Sequence, residues 1–163
     1  MFGSEAKGVE WVASISQTNP VRLFVCHVFE ETDDYLRVFE YLESSHNFYY
    51  LNCSDPTQRL QNEAAMKEEL RRQIGLAETV IILSTAFTRQ RDWINWELNC
   101  AKGLNKPVIV METFGVKEKL PVQLEALADE IVGWDERLLC DAIRRTARHE
   151  DTTRWDTIEF KLD

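Results

Sequence analysis

Runs of basic residues are missing from this 163-residue sequence, in which 28 acidic residues outnumber 19 basic ones and leave a formal charge of -9. Neighbouring basic residues occur only as pairs, Arg71–Arg72 and Arg144–Arg145. A protein that binds nucleic acid presents a basic face to the phosphates. We therefore expect no nucleic-acid partner.

Long apolar runs are missing as well. No stretch of the chain approaches the roughly 20 apolar residues that span a bilayer. No charged segment followed by an apolar core precedes a small-residue cleavage site of the kind found in secretory leaders. We expect a cytoplasmic protein without a membrane partner.

Closely spaced metal ligands are the third absence. The chain has four cysteines and three histidines, none in a C-x-x-C pair: Cys26, Cys53, Cys100, Cys140, His27, His46 and His149. Scattered thiols are typical of small buried residues in a reducing compartment, and scattered histidines give a metal little to bind. We predict no metal ion and no resident cofactor.

Strand-like and helix-like segments alternate along the chain. Strands are predicted at 21–26, 48–51, 79–84, 107–111 and 130–132, and helices at about 33–45, 62–77, 92–103, 122–128 and 136–149. Strand signals about 25 residues apart indicate βαβ crossovers, and therefore a parallel sheet with helices on both faces. The fold class is α/β, with three layers and five strands.

The residue pattern also indicates which positions face the core. Leu36, Phe39 and Leu42 are predicted to face inward from the first helix, and Met66, Leu70, Ile74 and Ala77 from the second. The strand at 79–84 is apolar on both faces, as expected at the centre of the sheet. Residues 1–20 are predicted to form an extension with one short helix, 21–149 the domain, and 150–163 a tail.

Ligands of parallel sheets bind beyond the carboxyl ends of the strands, where the strand order reverses. The loops at 27–34, 52–61 and 84–91 should therefore surround any site. The first of these loops lacks the glycines of a dinucleotide-binding turn, and no P-loop or G-x-S-x-G motif occurs. A response-regulator receiver needs an aspartate after the third strand, where Ser84 and Thr85 stand. A metal-dependent receiver relative is the weakest of our alternatives.

Glu97 is the most informative residue, because helical geometry places it in an apolar arc. That arc contains Trp93, Ile94, Trp96, Leu98, Cys100, Ala101 and Leu104. A carboxylate there must find a strong partner, raise its pKa or line a cleft, since an unpaired buried charge costs several kcal/mol. Such a residue is a candidate functional group. The structural alternative is a backbone hydrogen bond or an ion pair with Arg89 or Arg91.

Five segments resemble, in order, the motifs of the TIR-like (Toll/interleukin-1 receptor-like) domains of bacteria and archaea. They are Leu23–His27, Lys67–Ile74, Trp93–Leu98, Asn105–Ile109 and Ala128–Trp134. The similarity runs from about residue 21 to residue 146, and the chain looks like the TIR-like proteins of the Thoeris antiphage defence system. The resemblance implies a flavodoxin-like sheet. Cys26 departs from it, since many members have serine there.

Enzymatic members of that family cleave the bond between nicotinamide and ribose in NAD, and release ADP-ribose or a cyclic isomer that signals to a separate effector. The resemblance implies that Glu97, which matches the glutamate of the family's W-x-x-x-E helix, is catalytic, and that NAD is the substrate. It also implies TIR–TIR self-association. The candidate substrate-binding residues are Cys26, His27, Phe29, Tyr35, Ser84 and Trp93.

Each candidate also has a structural interpretation. Trp93 fits an aromatic residue of the core as well as a platform for the nicotinamide ring, and His27 fits a residue that only holds the next loop. For the whole protein, the alternative from a different class is a non-catalytic interaction module that acts by self-assembly. Loss of NAD in a solution of the protein distinguishes the two.

Overall fold

The computed structural model describes residues 14–152, and its strands and helices alternate as the sequence predicts. The strands are β1 (Val21–Val25), β2 (Tyr50–Asn52), β3 (Thr79–Leu83), β4 (Val108–Met111) and β5 (Glu130–Val132). The helices are α1 (Asp33–Glu43), α2 (Glu63–Leu76), α3 (Ser84–Arg89), α4 (Arg91–Gly103), α5 (Val122–Leu127) and α6 (Glu136–Arg148). No helix among these residues is long and apolar enough to cross a membrane.

The five strands form one parallel sheet in the order β2-β1-β3-β4-β5. Helices α1 and α6 pack against each other, as do α2 and α4, and the sheet lies between these two pairs. The predicted three-layer, flavodoxin-like fold is therefore confirmed. Every residue of β3 is buried, which confirms its central place. The strand order reverses between β1 and β3, so a ligand site is expected at the carboxyl ends of these two strands.

The inward face of α1 differs from the prediction. Tyr35, Val38 and Leu42 are buried, whereas Leu36 is 43% exposed. Thr32 caps the helix by accepting a hydrogen bond from the Tyr35 backbone N–H, and the hydroxyl of Tyr35 is hydrogen-bonded to Ser54. The tyrosine thus replaces the leucine on the inner face because its hydroxyl has a partner there.

Strand β2 and residues 84–89 also differ from the prediction. Strand β2 begins at Tyr50 and not at residue 48, because it pairs with β1, which begins only after Pro20. Residues 84–89, predicted as a loop, form the short helix α3. Phe87, three residues after Ser84, is fully buried and anchors this turn in the core. The loop prediction relied on the polar residues around this single apolar anchor.

The chain before β1 is fastened to the end of α6. Arg148 donates hydrogen bonds to the carbonyl oxygens of Ser14, Asn19 and Pro20, and it is ion-paired with Glu78 at 2.7 Å. Residues 14–20 form a turn closed by the bridge between Ser16 and Asn19 and contain no helix. Residues 1–13, which carry most of the predicted extension, lie outside the described residues, as do 153–163 of the predicted tail. The domain boundaries stay a prediction.

Candidate active site

Glu97 lies on the buried face of α4, together with Ile94, Leu98 and Ala101. Its side chain is 0% exposed, as the helical arc predicts. Asp92 in the first turn and Lys102 in the last turn complement the helix dipole. The helix therefore holds the carboxyl group of Glu97 beside the carboxyl end of β1.

The carboxyl group of Glu97 is only partly satisfied. Its Oε1 accepts a hydrogen bond from the backbone N–H of His27 at 3.2 Å, and its Oε2 has no hydrogen-bond partner among the described residues. No salt bridge within this part of the chain involves Glu97. Burial raises the pKa of Glu97 well above its usual value, although the hydrogen bond from His27 opposes the shift. The neutral, protonated form is favoured.

Neither of the two arginines considered as ion-pair partners of Glu97 forms an ion pair with it. Arg91 stacks on the ring of Phe87 at 4.6 Å and donates a hydrogen bond to Gln123. Arg89 is exposed, and its side chain forms no hydrogen bond or ion pair with any residue in 14–152. The ion-pair interpretation of Glu97 therefore does not hold within the described residues. The backbone interpretation holds for one of its two oxygens, Oε1, which accepts from His27 N–H.

His27 uses both ring nitrogens within the protein. Nδ1 accepts a hydrogen bond from the backbone N–H of Phe29 at 3.0 Å, and Nε2 lies 2.9 Å from Oε1 of Gln73. Nδ1 therefore carries no proton, and the neutral ring is the Nε2–H tautomer. Burial lowers the pKa of His27. The ring is a structural link between the first loop and α2.

The neighbours of His27 complete a compact polar and aromatic cluster. The thiol of Cys26, 1% exposed, accepts a hydrogen bond from Leu83 N–H at 3.3 Å, and burial, with a smaller contribution from Glu97, raises its pKa. The ring of Phe29 meets that of His27 edge-on at 5.0 Å. Tyr35 meets it edge-on at 6.2 Å. These side chains enclose the first loop next to Glu97.

A narrow cavity of about 30 Å³ opens at the carboxyl ends of β1 and β3, beside this cluster. One water needs 10–15 Å³ on the same measure, so the cavity holds about two. Its lining comprises Cys26, His27, Val28, Glu30, Thr32, Asp34, Leu83, Thr85, Ala86, Arg89, Gln90 and Ile94. The predicted loops 27–34 and 84–91 surround it, whereas the loop 52–61 contributes no lining residue.

An outer cleft of about 490 Å³ continues from this cavity. The two spaces share Glu30, Thr32, Asp34, Thr85 and Arg89. Four of the ten residues that line the outer cleft are acidic, and its cations are Arg37 and Arg89. Arg37 is paired with Asp34 and lies 3.9 Å above the ring of Phe114. A ligand larger than water can therefore enter the outer cleft but does not fit the inner cavity.

Four of the six predicted substrate-binding residues lie outside the cavity lining, namely Phe29, Tyr35, Ser84 and Trp93. Ser84 is 3% exposed, and its carbonyl oxygen accepts a hydrogen bond from the Thr88 hydroxyl. Trp93 packs against the core with its ring 6.0 Å from Nζ of Lys67 on α2. Cys26 and His27, by contrast, line the cavity, and Phe29 and Tyr35 pack on His27.

Sequence reasoning missed Gln73 and the cavity residues of α3. Gln73 is 0% exposed and follows Leu70 by three residues on the inner face of α2. The spacing that identified Glu97 as a polar residue among apolar ones would also have identified Gln73. Thr85 and Arg89 were missed because α3 was predicted as a loop. Among residues 14–152, no group of three potential ligands is placed to hold a metal ion.

The chain is similar to proteins of known structure and family. The CMP N-glycosidase BcmB of Clostridium botulinum is similar over 75% of this chain and 97% of its own, with 11% identity and a TM-score of 0.48. That similarity is too low to support an argument. No curated protein matches the chain. The model of the TIR-like domain of Thoeris protein ThsB matches residues 24–118, more than half of the sequence. The chain belongs to the Thoeris ThsB TIR-like domain family.

Proposed function

We propose that this protein is a cytoplasmic NAD-cleaving enzyme of antiphage immunity. It releases nicotinamide and an ADP-ribose-derived product, cyclic in our proposal, that activates a separate effector. The observation that carries the proposal is the carboxyl of Glu97, which is fully buried and has one oxygen without a partner among the described residues. This carboxyl is not itself part of the cavity lining, but it accepts a hydrogen bond from the backbone N–H of His27, which is. A buried polar atom without a partner is costly, and functional sites are where such atoms are retained.

The chemistry of the substrate suits this group. Cleavage of the C1′–N bond leaves positive charge on the ribose as neutral nicotinamide departs. A carboxylate within a low-dielectric recess stabilises such charge more strongly than it would in water. The carboxylate would act in the same sense as that of a glycosidase towards an oxocarbenium-like transition state.

The raised pKa of Glu97 is compatible with this role. The nicotinamide ring of NAD is cationic, and a cation next to a carboxyl lowers the pKa of that carboxyl. Substrate binding would therefore favour the ionised form in which Glu97 stabilises the ribose. Without such a cation, burial raises the pKa of Glu97, and no cation within residues 14–152 lies at ion-pair distance to oppose this shift.

The remaining site residues have proposed roles of different kinds. Cys26 and His27 shape the recess, and Phe29 and Tyr35 fix the orientation of His27. Ser84 and Trp93 stay predictions of substrate contact, which their positions outside the cavity lining do not support. NAD is the substrate, and the proposal includes no resident cofactor.

The inner cavity is too small for nicotinamide riboside, so turnover requires loop 27–34 to separate from helix α3. We further propose that self-association of TIR-like domains separates these segments and opens the cavity. The closed cavity is also the observation that favours the alternative, a non-catalytic module that works by self-assembly. Such a module would keep the sheet and never open the recess.

Mass spectrometry of the small molecules formed from NAD separates the two functions. The concentrated full-length protein is incubated with NAD, and nicotinamide, ADP-ribose and its cyclic isomers are quantified against a sample without protein. Nicotinamide released in equal amount to the NAD consumed supports the enzyme. No loss of NAD at any protein concentration supports the module.

A further inference from the structure

Gln73 is a buried polar residue of α2 that touches neither the inner cavity nor the outer cleft. Its side chain has four polar contacts. Oε1 is 2.9 Å from Nε2 of His27 and accepts from the backbone N–H of Asp55 at 2.9 Å. Nε2 donates to the carbonyl of Asp55 at 3.3 Å and to a carboxylate oxygen of Glu69 at 3.0 Å. The amide thus joins the first loop, the second loop and α2.

These contacts fix which way round the amide lies. If oxygen and nitrogen were exchanged, the NH₂ group would face the Asp55 N–H, and the oxygen would face the Asp55 carbonyl and the Glu69 carboxylate. Arg72 holds Glu69 in its ionised, accepting form, since their hydrogen bond lowers the pKa of that carboxyl. The contacts with Asp55 and Glu69 alone therefore require the amide oxygen to face His27.

The orientation of the amide determines the tautomer of His27. Opposite an oxygen, Nε2 carries the proton, which leaves Nδ1 as an acceptor for the backbone N–H of Phe29. Phe29 has a φ of 57°, a left-handed conformation that non-glycine residues rarely adopt. A proton on Nδ1 would set two N–H groups against each other and release Phe29 from this conformation.

The same loop holds the carboxyl of Glu97 through the backbone N–H of His27. We propose that Gln73 is a positioning residue for the active site: it fixes His27 as the Nε2–H tautomer and thereby holds the first-loop backbone on which Glu97 rests. The link to activity rests on the proposed NAD cleavage. The link to the His27 tautomer does not.

The first arm of the test reads the tautomer directly. Long-range proton–nitrogen NMR spectra of the ¹⁵N-labelled full chain distinguish a protonated Nε2 from a protonated Nδ1. The wild type should show the pure Nε2–H form at neutral pH. Gln73→Met, which has a similar shape and no amide, should show a mixture of tautomers. A wild type protonated on Nδ1, or a pure Nε2–H form in folded Gln73→Met, overturns the proposal.

The second arm reads NAD turnover. In Gln73→Met, kcat should fall by roughly 10- to 100-fold, because a small displacement of the catalytic group is enough, whereas KM should change little because Gln73 lies outside the cavity. Glu68→Gln, on the exposed face of the same helix, is the matched control and should keep the wild-type kcat.

The outcomes of the second arm separate the two claims. Unchanged kcat in folded Gln73→Met, or an equal loss of kcat in Glu68→Gln, overturns the positioning role. No turnover by the wild type at any concentration overturns the proposed function instead, and the NMR arm then decides the claim about the His27 tautomer by itself.

Discussion

Two polar side chains, Glu97 and Gln73, occupy helix positions where the pattern asks for apolar residues. Gln73 has a partner for each of its polar atoms, whereas Glu97 has one oxygen without a partner in residues 14–152. A satisfied buried network holds a structure in one arrangement, and an unsatisfied atom is a cost that folding alone does not explain. At the scale of single residues, this contrast separates a positioning role from a chemical one.

The pH dependence of stability tests the state of Glu97. Its pKa is raised in the folded protein, so above the unfolded value of about 4.5 the folded state retains a proton that the unfolded state loses. This contribution makes the free energy of unfolding fall by about 1.4 kcal/mol per pH unit until the folded pKa is reached. In Glu97→Gln this fall is absent, so the variant should gain on the wild type as the pH rises.

Chemical denaturation between pH 4 and pH 8 measures this difference. Glu68→Gln is the matched control, because the Glu68 side chain is 82% exposed on α2. A constant difference between Glu97→Gln and the wild type across this range would contradict a raised pKa.

At the scale of elements, β3 and its neighbours position the site. Val80 and Ile81 of β3 pair with Phe24 and Val25 of β1, so the two strands end side by side next to the cavity. Ile81 is 0% exposed, whereas Ile131 of the edge strand β5 is 41% exposed. An isoleucine side chain should therefore contribute more to the free energy of unfolding in β3 than in β5.

Replacing each isoleucine by alanine should show this difference. Ile81→Ala should lower the free energy of unfolding by about 3 to 4 kcal/mol, since it leaves a cavity in the central layer. Ile131→Ala should cost about 1 kcal/mol or less. Urea unfolding measures both values, and similar losses in the two variants would contradict the central position of β3.

How far the sequence alone predicts these elements depends on what fixes each one. The strand predicted at 79–84 ends one residue earlier, at Leu83, and is otherwise as predicted, because an unbroken apolar run at the sheet centre is a local signal. Leu36 was placed inward wrongly, since the choice of Tyr35 depends on a hydroxyl partner 19 residues away. Helix α3 depends on Phe87 meeting the core. Glu97 was predicted from helix geometry, but its contact with His27 spans 70 residues and has no local signal.

At the scale of the whole molecule, Arg148 fastens the segment before β1 to the end of α6. The residue is 5% exposed, and its donors meet Glu78 and three carbonyl oxygens. Arg148→Met should lower the free energy of unfolding by about 3 kcal/mol, because it leaves Glu78 and these carbonyls without their donor. Arg71→Met, on the exposed face of α2, is the control. Equal thermal stability of the two variants would contradict this view.

The small inner cavity implies that the isolated domain and the assembled protein should differ in activity. Because its inner volume of about 30 Å³ excludes the substrate, we expect the isolated domain to turn over NAD slowly. NAD consumption per molecule should rise with protein concentration if self-association opens the site. A dilution series over three orders of magnitude, with association followed by light scattering, measures this. High turnover in the most dilute sample would contradict the requirement for assembly.

The role of Glu97 in breaking the nicotinamide–ribose bond is the central claim, and the rate of nicotinamide release by the wild type and by Glu97→Gln tests it most directly. Both proteins are assayed at the same high concentration, with Glu68→Gln as the control for loss of one carboxylate. The account predicts release by the wild type and the control, and a loss of at least roughly 100-fold in Glu97→Gln. Equal release by all three proteins would contradict it.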